Sequence, residues 1–148
     1  MKKSLDAFHR KQLRQVLGIR YPHKVSNKKL YGMCNEMPIS ILILQLRWQL
    51  FGHILRRSRE IPANKAIEFY FSKTASKKFS GKKRTTLPIT LHNDLQLLYF
   101  NSDESNEEKL KLQSIEDYEY IRSLASDRRK FKSLVSTLVE AAKVNSEF

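Results

Sequence analysis

The sequence is poor in the residues that staple or bend a chain. Cysteine occurs once, at Cys34, so no intrachain disulfide can form and a disulfide-stapled secreted fold is excluded. Structural zinc sites mostly draw on two or more cysteines, and His9, His23, His53 and His92 lie far apart without ligand spacing. No metal or other cofactor is expected. Glycine and proline number four each among 148 residues, too few for a turn-rich β fold. The most apolar run, Ile39 to Leu46, stops at Arg47, far short of the ~20 residues that span a bilayer. The segment Leu5 to Leu17 is broken by Asp6, His9, Arg10, Lys11 and Arg14, unlike a secretory signal. No membrane partner is expected, and the reading is a soluble intracellular protein of the nucleus or cytoplasm.

Acidic residues are scarce in the first 84 positions, where only Asp6, Glu36, Glu60 and Glu68 occur, no two close together. A polymerase or two-metal nuclease needs clustered carboxylates to hold its cations. Asp103, Glu104, Glu107 and Glu108 read instead as a solvated loop. The four glycines are too scattered for a phosphate-binding loop, and no Ser/His/Asp or Cys/His set is apparent. Cys34 reads as a small apolar residue rather than a nucleophile. The chain is therefore not expected to be an enzyme.

What is abundant is apolar bulk and positive charge. Leu, Ile, Val and Phe supply 42 residues, enough for a core. The net charge is +13, and it is uneven: residues 1–84 carry +16 and residues 85–148 carry −3. So basic a chain points to a polyanion.

Periodicity predicts an all-α fold: several short to medium helices in a small bundle, with a basic flexible linker. Residues 1–71 read as a basic helical segment, 72–86 as the linker and 87–148 as a C-terminal helical segment. A first helix spans Ser4 to Leu17, with Ser4 as its cap, an apolar stripe of Leu5, Phe8, Leu13, Val16 and Leu17, and Gly18 at its end. Residues 21–24 form a loop, and Ser26 or Asn27 caps a short helix. Pro38 opens a long helix from Ile39 to Arg57. Its buried face is expected to hold Ile43, Leu46, Leu50 and Ile54, with Leu44, Phe51 and Leu55 beside them. Trp48 and Phe51 read as core, and Gly52 as a point of close packing. Pro62 opens a helix to about Phe71. Further helices are expected over Leu87–Tyr99 and around Leu112, Ile115, Tyr118 and Ile121. Ser126 or Asp127 then caps a last helix with a stripe of Phe131, Leu134, Val135, Leu138, Val139 and Ala142.

Lysine and arginine neutralise phosphates and release counterions. Three clusters are candidates for this: Arg10, Lys11 and Arg14; Arg56, Arg57 and Arg59; and the linker cations Lys73, Lys77, Lys78, Lys82, Lys83 and Arg84. Phe79, within the linker, could stack on an unpaired base.

Taken in order, the motifs resemble the region beyond the polymerase core in reverse transcriptases of non-LTR (LINE-type) retrotransposons. The resemblance runs through Leu5–Pro22, Val25–Tyr31 and Leu46–Arg56, where Arg47-Trp48 is followed by Gly52-His53 and a closing Arg56. It continues through Pro62–Phe71, the Thr85–Pro88 junction, His92–Leu95 and Leu124–Val135. Asp127, Arg128 and Phe131 are motif positions of that last run, with Phe131 where the family usually has Trp. The resemblance implies that the polymerase palm and endonuclease lie upstream of Met1, so their activities are not carried over. It also implies that this region helps hold template RNA and target DNA, with Arg47 and Arg56 among the contacts. It makes the rest of a retrotransposon polymerase a partner. The expectation is thus a non-catalytic C-terminal fragment that binds RNA or DNA through phosphates. The alternatives are a non-functional retroelement remnant or a helical interaction module, whose partner would cover Phe131, Leu134, Leu138 and Ala142.

Overall fold

In the computed structural model, residues 2–73, 85–99 and 109–145 are described. Among them lie seven α-helices, one short 3-10 helix and no strand, so the protein is all-α. The helices are α1 (Lys2–Val16), α2 (Asn27–Cys34), α3 (Ile39–Leu55), α4 (Pro62–Lys73), α5 (Leu87–Leu95), α6 (Ile115–Ser126) and α7 (Arg128–Asn145). The 3-10 helix Gln96–Tyr99 continues α5. Most of the basic segment expected as a linker (74–84) and the acidic run 100–108 lie outside the described residues.

Local chemistry sets most helix ends. Gly18 adopts φ +65° after α1, a left-handed position that a side chain would disfavour. Ser26 caps α2 by accepting from the Lys29 N–H at 3.2 Å. Ser114 and Asp117 form a reciprocal capping box at the start of α6. Asp127 accepts from the N–H groups of Arg129 and Lys130 at the start of α7, at 2.9 and 3.2 Å. The end of α3 is closed from outside. The buried amide of Asn64 donates to the carbonyls of Ile54, Arg57 and Ser58 at 2.9–3.3 Å. Ser4, by contrast, is no cap: α1 begins two residues earlier, at Lys2.

The core is built on α3, with α4, α5, α6 and α7 around it. Trp48 packs edge-on to Phe51 and tilted against Phe131, with ring centroids 5.9 and 6.2 Å apart. Phe71 of α4 stacks on Tyr118 of α6 at 5.8 Å. Leu91 and Leu95 of α5, Ile121 of α6, and Val135, Leu138 and Val139 of α7 fill the remainder. The stripe on α7 is thus spent inside the chain. Phe131, Leu138 and Ala142 are buried, and Leu134 packs against the core. They do not form an exposed partner surface.

Two expected faces are corrected. On α3 the buried residues are Ile41, Leu44, Trp48, Phe51, Gly52 and Leu55. Ile43, Leu46 and Leu50 point outward, Leu50 being 60% exposed. This helix is apolar on nearly all sides, so spacing alone could not choose a face. Close packing chose it. A Cβ on Gly52 would lie 2.3 Å from Cε1 of Phe131, so only glycine lets α7 approach this closely. On α1 only Leu13 of the apolar stripe is half-buried, while Leu5, Phe8, Val16 and Leu17 are exposed. This helix packs on α2 and α3, where Asp6 accepts from the N–H and hydroxyl of Ser40.

Gly52→Ala is expected to destabilise the protein by roughly 1–3 kcal/mol through overpacking. Gly52→Ala combined with Phe131→Leu should recover part of that loss, because the smaller side chain makes room. Urea unfolding of both variants and of Phe131→Leu alone measures the coupling.

A second outcome concerns pH. His92 of α5 accepts the Leu112 N–H at Nδ1 (3.3 Å), and its Nε2 lies 2.8 Å from the Gln113 side-chain amide. Burial is the main influence on the ring and lowers its pKa; Asp117 raises it and Lys111 lowers it further. A lowered folded-state pKa means stability that is present above the unfolded value, about 6.5, and is lost as pH falls toward the folded value. Melting temperature should therefore drop on acidification from neutral to about pH 5.5. In His92→Asn, which can accept the same N–H without titrating, the drop should be smaller.

Candidate nucleic-acid interface

The Arg47-Trp48 motif proves to be one half of a buried contact. Its other half is Asp94 on α5, 47 residues away for Arg47. Asp94 is 1% exposed, and its Oδ2 accepts from Arg47 Nη1 and, at 3.2 Å, from the Trp48 indole Nε1. A carboxylate this deep is tolerated only when a cation and donors meet it. Arg47 is therefore not a free phosphate contact as expected; its charge is engaged with Asp94. Sequence reading placed His92–Leu95 among the motifs but gave Asp94 no role. Its signal was a single acid in an otherwise apolar helix face.

The three arginines after α3 separate in space. Arg59 is paired bidentately with Glu119 of α6 at 2.6 and 2.8 Å and reaches Glu68 at 3.4 Å. That pairing removes it from the expected cluster of open cations. Arg57 lies on the exposed side, with Nε donating to His53 Nε2 at 3.3 Å, and its carbonyl accepts from Arg122. Arg56 sits 5.9 Å over the ring of Phe131, and its Nη1 donates to the Ala125 carbonyl at 3.4 Å.

On α1, Arg14 is tied to the Val25 carbonyl and to Asn27 Oδ1 at 3.1 and 2.9 Å. Arg10 neighbours Tyr31, whose hydroxyl pKa is raised by burial above all, against the lowering effect of Arg10. Lys11 is exposed. Lys73 ends α4, while Lys77, Lys78, Phe79, Lys82, Lys83 and Arg84 fall outside the described residues.

The positive side chains that do converge line a groove of about 570 Å³ between α3 and α7. The two helices run antiparallel, because Gly52 meets Phe131 near one end while Met37 and Lys143 share the other. One wall is Gln45, Gln49 and His53 of α3, with Arg56 just past its end. The other is Arg128, Lys132, Ser136, Glu140 and Lys143 of α7. Phe131, Val135 and Val139 form an apolar floor, and Met37 closes the far end. From Gln45 to Arg56 the wall runs roughly 16 Å. Charge is graded along it. Arg56, Arg128 and Lys132 crowd one end, whereas at the other Lys143 is paired with Glu140 at 2.8 Å.

Sequence reading assigned binding to residues 1–84 and missed the α7 wall. The net charge of residues 85–148 conceals the local run Arg128, Arg129, Lys130 and Lys132. Three cations in the first turn of a helix oppose its dipole, a local cost that the Asp127 cap offsets. Trp48, Gly52 and Phe131 are core, as expected for motif residues without chemistry, and they set the groove's depth. Among the described residues, no three of His, Cys, Asp and Glu gather to hold a metal ion. No helix among them is long and apolar enough to cross a membrane. No protein-family model, curated protein or solved structure matches the chain.

Arg47→Ala is expected to cost about 3–5 kcal/mol, because it strips the cation from a buried carboxylate. Asp94→Asn should cost less, since Arg47 is 18% exposed and can turn to water. Urea unfolding of the two variants gives the order; the reverse order would mean that Asp94 is not the dependent partner.

Proposed function

We propose that this protein is a non-catalytic nucleic-acid-binding region that holds RNA or DNA by its phosphates in the α3/α7 groove. The observation that carries this reading is the convergence of Arg56, Arg128 and Lys132 on one end of a single groove. These residues come from two motifs far apart in sequence, Leu46–Arg56 and Leu124–Val135. Both belong to the pattern that resembles the post-polymerase region of non-LTR retrotransposon reverse transcriptases. In that setting the groove would grip the duplex or hybrid on which the polymerase works, and the rest of the polymerase would be its partner. The glutamines of α3 add neutral donors and acceptors that suit sugar and phosphate oxygens.

A second reading, a helical interaction module, is supported by a different surface from the one first considered. Ile43, Leu46 and Leu50 form an exposed apolar row on the outer side of α3. The spacing of these residues suits another amphipathic helix.

Affinity for a double-stranded oligonucleotide should fall steeply between low and physiological salt, with a slope of roughly −0.7 to −0.9 per phosphate neutralised. Replacing Arg128 and Lys132 by Ala should flatten that slope by about one for each residue and weaken binding to all sequences alike. A salt-independent affinity, or one untouched by the double substitution, would reject the groove as the binding site.

A further inference from the structure

The loop between α1 and α2 carries an arrangement that neither the groove nor the core uses. Tyr21 is 90% exposed, the most exposed large apolar side chain among the described residues. Its neighbours Arg20, Pro22, His23 and Lys24 are exposed too. An aromatic ring left in water forgoes a large burial gain, since such rings otherwise supply much of a core's energy. Nothing in the packing of α1 and α2 requires it there.

The loop is nonetheless held at both ends. On the entry side, Ile19 N–H donates to the Arg14 carbonyl at 2.9 Å, and Gly18 turns the chain at φ +65°. On the exit side, the Arg14 side chain holds the Val25 carbonyl and Asn27, and Ser26 caps α2. Between these anchors, His23 N–H donates to the Arg20 carbonyl at 2.9 Å and closes a turn with Tyr21 and Pro22 at its tip. One arginine thus fixes both feet of a short arch whose top is a tyrosine ring between cations.

We propose that this arch is a single-strand site: Tyr21 stacks on one unpaired base, and Arg20 and Lys24 take the flanking phosphates. A nucleotide strand presents flat base faces interleaved with negative charges, and the arch presents a flat face interleaved with positive ones. Every base has a π face, so the site is sequence-tolerant. Anchoring the loop backbone in advance spares part of the entropy of ordering it on binding. The site lies on α1–α2, apart from the groove, and does not rest on the groove reading.

The test uses the whole chain with three probes: single-stranded oligothymidine, an abasic backbone of the same length, and phosphatidylserine vesicles. Tyr21→Ala should weaken oligothymidine binding roughly five- to a hundredfold, the range of one stacked base. It should leave the abasic backbone and the melting temperature unchanged, because the ring packs on no core residue. Tyr21→Trp should keep the affinity, and its emission, taken as the difference from wild type, should be quenched on binding. Equal affinity for oligothymidine and the abasic backbone, no effect of Tyr21→Ala, or Tyr21-dependent binding to vesicles but not to oligothymidine would each overturn the proposal. Loss of duplex binding in the Arg128 and Lys132 variant bears on the groove alone, so the two sites fail separately.

Discussion

The rest of the structure is arranged around one carboxylate, Asp94, which is almost wholly withdrawn from water and met there by a guanidinium and an indole N–H. Asp94 lies on the inner side of α5, where Arg47 and Trp48 of α3 meet it and Leu91 and Leu95 pack beside it in the core. The pair is specific in a way that apolar packing is not. Leucines tolerate a slipped register, but a buried carboxylate without its guanidinium does not. This contact and the close approach of Gly52 to Phe131 set the rotation of α3 together. With Arg47 and Trp48 turned toward Asp94, Gly52 faces α7 and accepts Phe131, while His53 and Arg56 come to the edge of the interface. The groove is therefore a by-product of core geometry. Its walls are the two flanks of a helix pair whose spacing a glycine sets and whose rotation that glycine and an ion pair set together.

Much of this was legible from residue order alone. Helix content followed from the scarcity of glycine and proline. The ends at Gly18, Ser26, Pro38, Pro62 and Asp127 followed from capping chemistry, which acts within a few residues. Gly52 was readable as a packing point because a glycine inside a helix has to be compensated. The α7 stripe was readable because that helix is polar on its other side. The faces of α3 were not legible, since a helix apolar all round carries no periodic signal. Nor were the faces of α1, whose stripe is left mostly uncovered by α2 and α3.

The charged residues show the same division more sharply. Counting cations located the basic half but could not say which of them were occupied. Arg47, Arg59 and Arg14 are engaged with Asp94, with Glu119 and Glu68, and with the Val25 carbonyl and Asn27. Their partners are 9 to 60 residues away in sequence. Pairing at that range is a property of the fold. Averaging over halves hid Arg128 and Lys132 for a related reason, since a net charge summed over 64 residues carries no information about which charges share a surface.

The antiparallel pairing of α3 and α7 also bears on how the chain is made. Trp48, Phe51 and Leu55 leave the ribosome well before Phe131 and Leu138, which cover them. Through that interval α3 displays apolar surface on both its flanks, one awaiting α7 and one that stays open in the finished fold. The nearby arginines of the α3–α4 junction then do a second service. They keep that stretch of nascent chain strongly cationic while it is uncovered, and like charges on neighbouring chains hold such stretches apart.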